Sequence, residues 1–488
     1  MQATRSSAAS SVKWSVVEYG GLALISFSSL VVYARFLSAS EFGLFSIALS
    51  VIELMTVLVG MLFHDALVQR RDLRELHYDT AFTVTLALSA VIVALCWGSA
   101  RAVARWAEVP DAGPVLMWLS VSLPLTAANA SVVARRRREL DFRTLAVSSL
   151  VGRTGGAAAG IALVVLGFGI WALVAQQVLF VLLSSLVLWA RCGDLPRLRF
   201  GAREFRELIG FGLACVSDLM LLFTVKRLFT VVSGVMLGAY GAGLLNLAFR
   251  AVDTLWSIAA SAVSQITLPL LSSLQADERR FRRAFHGALA LMCLVSYFGF
   301  ILLGATAPEV VVFLFGAQWL ELSPYVTLLS LLVLTGAVRI PVSSVLKALG
   351  RPRDLMLCQV GELGFVVTAI ALTGVPSVGW ATGIWLAREA FGSAIQVWMF
   401  RRATRMALRE LLSGARVPLV AALAMFAAVS ACRQFLTHEL GALAALAVLV
   451  PVGAAVYFGW VALLERALLV DLIRFIHSAF RRVQPAAT

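Results

Sequence analysis

Charged residues lie inside stretches of this sequence that are otherwise apolar enough to cross a membrane. In residues 222–230, LFTVKRLFT, Lys226 and Arg227 stand side by side among leucine, valine and phenylalanine residues. A cation at the centre of a bilayer costs about 2.5–3.5 kcal/mol on insertion scales, so it is expected to face a polar cavity or an ionic partner. The residues in this setting are Arg153, Lys226, Arg227, Arg250, Arg339, Arg388, Glu18, Glu53, Asp218, Asp253, Glu362 and Glu389.

The cations of this set suit a ligand that carries phosphate. Arginine offers paired hydrogen bonds to phosphate oxygens, and lysine offers a compact charge. The alternative is that the charges form structural ion pairs: Arg250 and Asp253 lie three residues apart on one helical face and could pair with each other. The predicted substrate-binding cations are Lys226, Arg227, Arg250, Arg153, Arg339 and Arg388.

Four of the acids are candidates for ion coupling, and they are Glu53, Asp253, Glu18 and Asp218. An acid that is protonated in one conformation and ionised in another can couple proton entry to a conformational cycle. Asp253 has Arg250 one helical turn away, whereas Glu53 has Ser50 at the corresponding place. Glu53 is therefore predicted to exchange a proton, and Asp253 is predicted to stay ionised and structural.

The composition is that of a polytopic membrane protein. The chain is 60% hydrophobic and only 14% charged, whereas a soluble protein carries about 25% charged residues. A span needs about 20 mostly apolar residues. The predicted spans are 14–36, 42–64, 79–100, 113–133, 143–166, 169–190, 207–235, 239–264, 284–305, 322–346, 354–374, 378–400, 416–436 and 441–463.

The positions of the basic residues predict an orientation for these fourteen spans. When residues in the terminal turn of a span are counted with the adjoining connection, 31 of the 41 Lys and Arg residues fall on the even-numbered connections and the termini, four on the odd-numbered connections and six within spans. Basic residues accumulate on cytoplasmic loops, so both termini are predicted to be cytoplasmic. The arginine run 135–138 is interpreted first as an orientation signal; binding of anionic lipid or of a partner glycosyltransferase is the alternative.

The sequence also contains an internal repeat. A shift of 200 residues aligns LSASEFGLFSIAL (37–49) with LGAYGAGLLNLAF (237–249), and it places Glu18 on Asp218 and Glu53 on Asp253. Because six spans is an even number, the two halves are predicted to have parallel orientation, with the last two spans as an addition. Parallel halves are typical of transporters that handle a substrate between them near the midplane.

Several stretches resemble a known family. VVYARFLSASEFGLFSIALSV (31–51), ALVQRRDL (66–73), GAQWLELSPYVTLLSLL (316–332) and LKALGRPRD (346–354) are similar to bacterial polysaccharide flippases of the O-antigen and exopolysaccharide (Wzx-type) branch of the multidrug/oligosaccharidyl-lipid/polysaccharide exporter superfamily. The resemblance implies fourteen spans, two six-helix lobes around a central cavity, and movement of undecaprenyl-diphosphate-linked oligosaccharide from the inner to the outer leaflet of the bacterial cytoplasmic membrane.

These expectations combine into an all-α integral membrane protein with two pseudo-symmetric six-helix lobes and two C-terminal helices. The predicted division is an N-terminal lobe (1–190), a cytoplasmic linker (191–206), a C-terminal lobe (207–400), spans thirteen and fourteen (401–465) and an amphipathic cytoplasmic tail (466–488). The expected partners are the lipid-diphosphate oligosaccharide and the bilayer, with a polysaccharide polymerase and glycosyltransferases as further candidates and no nucleic acid.

Two other functional classes fit the sequence less well. A multidrug antiporter of the same superfamily is expected to present an acidic, aromatic pocket to cationic drugs, which six intramembrane cations oppose. A membrane enzyme such as a polysaccharide polymerase is expected to carry a large outer loop, and the longest odd-side connection spans only about residues 307–321. The six cysteines are scattered without metal-ligand spacing, and the sequence shows no nucleophile triad or phosphate-binding glycine loop, so no enzyme activity, metal or cofactor is predicted.

Overall fold

The structure is a computed structural model that describes residues 2–70, 72–106, 111–192, 195–273, 278–349, 351–436, 441–466 and 468. For some positions in helices only the backbone is described, and these include residues 2–13 and 257–273 as well as Asp218. The predicted coupling role of the Asp218 side chain therefore lies outside the described residues. The same holds for nearly all of the predicted amphipathic tail.

The described chain is helical, with no strand in the ranges given above. Seventeen α-helices follow one another in these described ranges, with one 3₁₀ turn (Ala317–Leu322) between the eleventh and the twelfth. They are α1 (Gln2–Phe36), α2 (Ala39–Met61), α3 (His64–Gln69), α4 (Glu75–Trp106), α5 (Ala112–Ser120), α6 (Ser122–Arg138), α7 (Phe142–Val165), α8 (Ile170–Arg191), α9 (Ala202–Ser273), α10 (Glu278–Ala305), α11 (Ala307–Phe315), α12 (Ser323–Ser330), α13 (Val333–Ala348), α14 (Pro352–Thr373), α15 (Val378–Thr404), α16 (Leu408–Leu436) and α17 (Ala442–Leu464).

Eleven helical segments within the described residues are long and apolar enough to cross a membrane. The count is twelve if the segments Ala317–Ser330 and Val333–Lys347, bent by 45°, form one broken span. A count of fourteen would need two more spans, one from dividing α9 into two and one from α15. The 72-residue helix α9 changes direction at Gly238, where φ is 71°, so it has the length of two spans. Helix α15 contains Arg388 and Glu389, which lower its hydropathy. The all-α membrane fold is confirmed, and the count of fourteen stays a prediction.

The chain forms two compact units, Met1–Asn246 and Leu247–Thr488. The predicted lobes were separated by a linker at 191–206, whereas this division groups the first part of α9 with the helices that precede it. The contacts between α2 and α9 explain that grouping. The two helices run antiparallel, with Leu62 beside Gly212 and Ile47 beside Gly234.

A reciprocal contact lies where α2 begins. A Cβ atom added to Gly43 would lie 1.6 Å from the carbonyl oxygen of Ala239, and one added to Gly243 would lie 1.8 Å from that of Ala39. Ala39 and Gly43 are the residues that the 200-residue shift aligns with Ala239 and Gly243. When each of two aligned segments contacts the other through the same positions, the contact has the pattern of a two-fold axis. The packing therefore agrees with the internal repeat.

Candidate functional site

An ion pair joins α2 to the first part of α9 between two of the predicted site residues. The guanidinium Nη2 of Arg227 contacts the Oε2 atom of Glu53, and the side chains are 23% and 33% exposed. The contact is one of charge rather than an aligned hydrogen bond, because Glu53 Oε2 and Arg227 Nε have no hydrogen-bond partner among the described residues. The best candidate for proton exchange and a candidate phosphate ligand are thus brought together.

A capping box defines the N-terminus of α2, the helix that carries Glu53. Ser38 caps the helix by accepting a hydrogen bond from the backbone N–H of Glu41, and the Glu41 carboxylate accepts from the backbone N–H of Ser38 at 2.9 Å. This reciprocal capping box satisfies donors that would otherwise be unpaired at the helix terminus.

Lys226, next to Arg227 on α9, is half-buried, so the Glu53–Arg227 pair has a second cation beside it.

The other predicted residues of the first unit lie elsewhere on its helices. Arg153 belongs to α7, and its guanidinium stacks 4.0 Å above the ring of Phe180 on α8. Glu18 is half-buried on α1. An aromatic face attracts a cation through its quadrupole, which stabilises the charge of Arg153 between helices.

The second unit holds a ring of four charges that joins α13, α14 and α15. Arg339 contacts Glu362 and lies 2.9 Å from Glu389. Arg388 lies 2.8 Å from Glu362 and also contacts Glu389. Each arginine therefore contacts both carboxylates, and the ring has no net charge.

The four side chains of this ring are largely buried, so each charge needs its partners for the helices to stay stable. Glu362 is 1% exposed, and the other three side chains are at most 16% exposed. Arg388 stacks 3.9 Å over the ring of Trp385, and Arg339 donates to the Gln396 side chain at 3.0 Å. Removing one member of a buried ion pair costs about 3–5 kcal/mol because a charge is left uncompensated. The ring therefore fastens the three helices together.

This arrangement bears on the roles predicted for Arg339 and Arg388. Both guanidinium groups already have carboxylate partners, so either could bind a phosphate only by exchanging a partner. Arg250 and Asp253, which were also predicted to be site residues, are on α9, and α9 contributes no residue to the ring. Arg250 is half-buried, and Asp253 is exposed. The assignment of all these residues to a substrate cavity stays a prediction.

A family model for polysaccharide biosynthesis proteins matches residues 32–324, more than half of the chain. The chain belongs to this polysaccharide biosynthesis protein family. The resemblance stated from the sequence is thereby confirmed.

Relatives that match three quarters of the chain or more agree with this membership. The chain is 28% identical to the succinoglycan biosynthesis transport protein ExoT of Rhizobium meliloti, over 97% of both chains. It is 22% identical to the lipopolysaccharide biosynthesis protein WzxC of Escherichia coli, over 75% of both chains. Among solved structures, the fold is similar to the lipid II flippase MurJ in an inward closed conformation, with a TM-score of 0.74, 14% identity and coverage of 94% of this chain and 100% of that one.

The arginine run of this polysaccharide biosynthesis protein is engaged in contacts within the first unit. Arg135 contacts Glu75 and lies 4.5 Å above the ring of Tyr78, and Arg136 lies 2.9 Å from Glu139. The other two members of the run contact the α3 region, where Arg137 Nη1 is 3.2 Å from His64 Nε2 and Arg138 donates to the Arg70 carbonyl. The run therefore holds the end of α6 against α3 and α4, whatever its part in orientation.

Sequence reasoning missed a second polar cluster, centred on Glu207 at the start of α9. Glu207 accepts from Arg70 at 2.6 Å and from Arg203 at 2.9 Å, and it lies 3.1 Å from Nε2 of His77. The backbone N–H of Arg74 donates to Nδ1 of His77, so Nε2 carries the proton that points at Glu207. The hydrogen bond from His77, together with Arg203 and Arg70, lowers the pKa of Glu207 from 4.5 to about 2. The four-residue spacing of Arg203 and Glu207 was the signal available in the sequence.

Proposed function

We propose that the chain is a flippase that moves undecaprenyl-diphosphate-linked oligosaccharide repeat units from the inner to the outer leaflet of the bacterial cytoplasmic membrane. The product serves the biosynthesis of an O-antigen, a capsule or an exopolysaccharide. Membership of the family, the transport protein among the relatives and the MurJ-like fold support this function. The observation that carries it is the Glu53–Arg227 pair, a cation placed with its counter-ion inside two apolar helices.

The pair suggests how the site responds to a diphosphate. Without substrate, Glu53 compensates the charge of Arg227, which makes the cation tolerable within the membrane. A diphosphate brings at least two negative charges and offers Arg227 the paired oxygen acceptors that a guanidinium binds best. Substrate therefore competes with Glu53 for Arg227, and the half-buried Lys226 next to it supplies a second positive charge.

The same exchange provides a route for ion coupling. When Arg227 turns to phosphate, Glu53 loses its counter-ion in a membrane environment, and binding a proton then removes its charge. Release of the substrate returns Arg227 to Glu53 and expels the proton. Glu53 is thus the proposed coupling acid. Asp253, Glu18 and Asp218 stay secondary candidates, as do Arg250, Arg153, Arg339 and Arg388 for the substrate.

The orientation and the partners belong to the same proposal. With both termini in the cytoplasm, the basic connections face the compartment in which lipid-linked oligosaccharides are assembled. A glycosyltransferase on that side would supply the substrate, and a polymerase on the other side would consume the product. In this scheme the two predicted lobes enclose a central cavity, and the protein performs no chemistry on the sugar.

A genetic experiment tests the proposal in the native host. Deleting the gene is expected to abolish one surface polysaccharide and to leave its lipid-linked repeat unit on the inner leaflet, where glycosidase added to intact spheroplasts cannot reach it. The wild-type gene restores export, and Arg227→Ala does not, although its protein level stays within about twofold. Normal export in the deletion strain would exclude the proposed role. Unchanged export together with drug sensitivity would support the multidrug antiporter instead.

A further inference from the structure

The segment that joins the last span of the first six to α9 exposes apolar and basic side chains in alternation. Residues 195–206, LPRLRFGAREFR, form this linker segment. Leu198 is 71% exposed and Phe200 57% exposed, and Leu195 is also exposed. The candidate spans end at Arg191 and resume at Phe223, so these side chains do not belong to a helix that crosses the membrane. Exposed apolar side chains outside the spans indicate a surface that another apolar phase covers.

Arginines lie next to the two most exposed of these apolar residues, on both sides of Leu198 and before Phe200. Arg197, Arg199 and Arg206 are exposed, and none of the three has an ionic or side-chain hydrogen-bond partner among the described residues. Basic residues interleaved with leucine and phenylalanine are the pattern of segments that lie in a membrane interface and attract anionic headgroups. The contrast with the arginine run 135–138 is informative, because those side chains are engaged by Glu75, Glu139, His64 and backbone carbonyls.

The backbone of the linker segment is attached to the start of α4. The N–H of Arg197 donates to Oδ1 of Asp79 at 2.8 Å, and the N–H of Gly201 donates to Oγ1 of Thr80 at 3.0 Å. The hydroxyl of Thr83 donates to the carbonyl of Arg199 at 3.0 Å. These bonds use the backbone of the segment, and its arginine side chains, Leu198 and Phe200 stay exposed.

We infer that the linker segment is a binding surface for anionic phospholipid headgroups of the bilayer in which the protein sits. Arg197, Arg199 and Arg206 contact the phosphates, while Leu198 and Phe200 enter the boundary between headgroups and acyl chains. Since three hydrogen bonds attach the segment to α4, bound lipid also holds the start of α4 and of α9 at the membrane surface. This inference does not depend on the transported substrate.

Lipid selectivity of the full-length protein tests the inference. The purified protein is equilibrated with phosphatidylglycerol and phosphatidylcholine, and native mass spectrometry counts the retained lipids. The wild type is expected to prefer phosphatidylglycerol. An arginine near an anionic surface contributes about a fivefold gain in affinity, so R197Q/R199Q/R206Q is expected to lower the preference by at least about tenfold.

A matched control removes the same charge elsewhere. Arg401, Arg409 and Arg416 are exposed in the second unit, where the adjacent Phe400 and Ala415 are buried and the adjacent Leu408 is less exposed than Leu198 and Phe200. R401Q/R409Q/R416Q is expected to keep the wild-type preference. Equal losses in both triple variants would show a general charge effect, and an undiminished preference in the linker variant would also overturn the inference.

A depth measurement covers the case in which the linker variant fails to fold. Cys215 and Cys432 are half-buried and the other four cysteines are buried, so a nitroxide can be placed at Leu198→Cys after Cys215→Ala and Cys432→Ala. In phosphatidylcholine vesicles with a third of phosphatidylglycerol, the label is expected to be protected from a water-soluble paramagnetic reagent. The expected protection is weaker in pure phosphatidylcholine. Full access in both vesicles would overturn the inference and would leave the segment free for a soluble protein partner.

Discussion

At the scale of single residues, the sequence indicated which charges are unusual but not which of them meet. Insertion cost alone singled out Arg227 and Glu53, because a charge in an apolar stretch is conspicuous without any structure. Their pairing depends on how α2 and α9 lie side by side, and no local spacing records that. The ring formed by Arg339, Glu362, Arg388 and Glu389 was hidden for the same reason, since its members come from three helices.

A double-mutant cycle on the first pair separates stability from transport. Glu53→Gln leaves the charge of Arg227 uncompensated and is expected to destabilise the protein by about 1–3 kcal/mol, less than a fully buried pair because both side chains are partly exposed. Glu53→Gln with Arg227→Gln is expected to recover most of that stability but no transport. Thermal unfolding in detergent and flipping in proteoliposomes provide the two readouts. A double variant that transports at the wild-type rate would reduce the pair to a structural contact.

The Glu207 cluster predicts a response to acid. A carboxyl whose pKa is about 2 in the folded protein, against an ordinary 4.5, stabilises the fold above about pH 4.5. That contribution is lost as the pH falls from 4.5 towards 2. The unfolding temperature of the wild type is therefore expected to drop more steeply between pH 5 and pH 3 than that of Glu207→Gln, while His77, Arg70 and Arg203 stay in place. Parallel curves for the two proteins would contradict this assignment.

At the scale of helices, the apolar runs located most of the spans but did not indicate where helices bend or break. Of the predicted fourteen spans, seven and eight meet inside a single candidate span, Phe223–Trp256, and span twelve matches no candidate within the described residues. The break at Gly238 divides α9 where spans seven and eight were expected to meet, because the positive φ there suits a residue without a side chain. Helix α15 departs from the pattern of an apolar span because it carries half of the charge ring.

The crossing of α2 with α9 gives a prediction at this scale. Gly43→Ala would place a methyl group 1.6 Å from the Ala239 carbonyl oxygen, so the helices must separate. The expected cost is about 1–3 kcal/mol or more, as for other overpacked contacts. Gly98→Ala is the matched control, because nothing lies within 4 Å of its added Cβ on α4 and alanine favours a helix by about 0.5–1 kcal/mol. Equal unfolding temperatures for the two variants would refute the close crossing.

At the scale of the whole molecule, the sequence predicted the fold class, the internal repeat and the family. The fold class follows from the composition and the repeat from a 200-residue shift, while the family follows from short stretches that resemble its members. The division into compact units, by contrast, depends on long-range packing of α9, and it falls at Asn246 rather than in the linker.

Orientation is the prediction that belongs to this scale. Reporter fusions after Arg137 and Leu198 are expected to give cytoplasmic signals, and a fusion after Gly316 is expected to give an external one, because basic residues concentrate on the even-numbered connections. An external signal after Arg137 would invalidate the fourteen-span topology and the parallel halves with it.

Flipping by the purified protein is the most direct test of the central claim. Proteoliposomes carry the native lipid-diphosphate oligosaccharide on one leaflet, and a glycosidase added outside measures how much reaches the other. The wild type is expected to accelerate this transfer at least about tenfold over empty vesicles, and Arg227→Ala is expected to lose most of that gain while its unfolding temperature falls no further than that of Glu53→Gln, which leaves the partner charge unpaired in the same way. Transfer at the rate of empty vesicles by folded wild-type protein, with and without a proton gradient, would contradict the account.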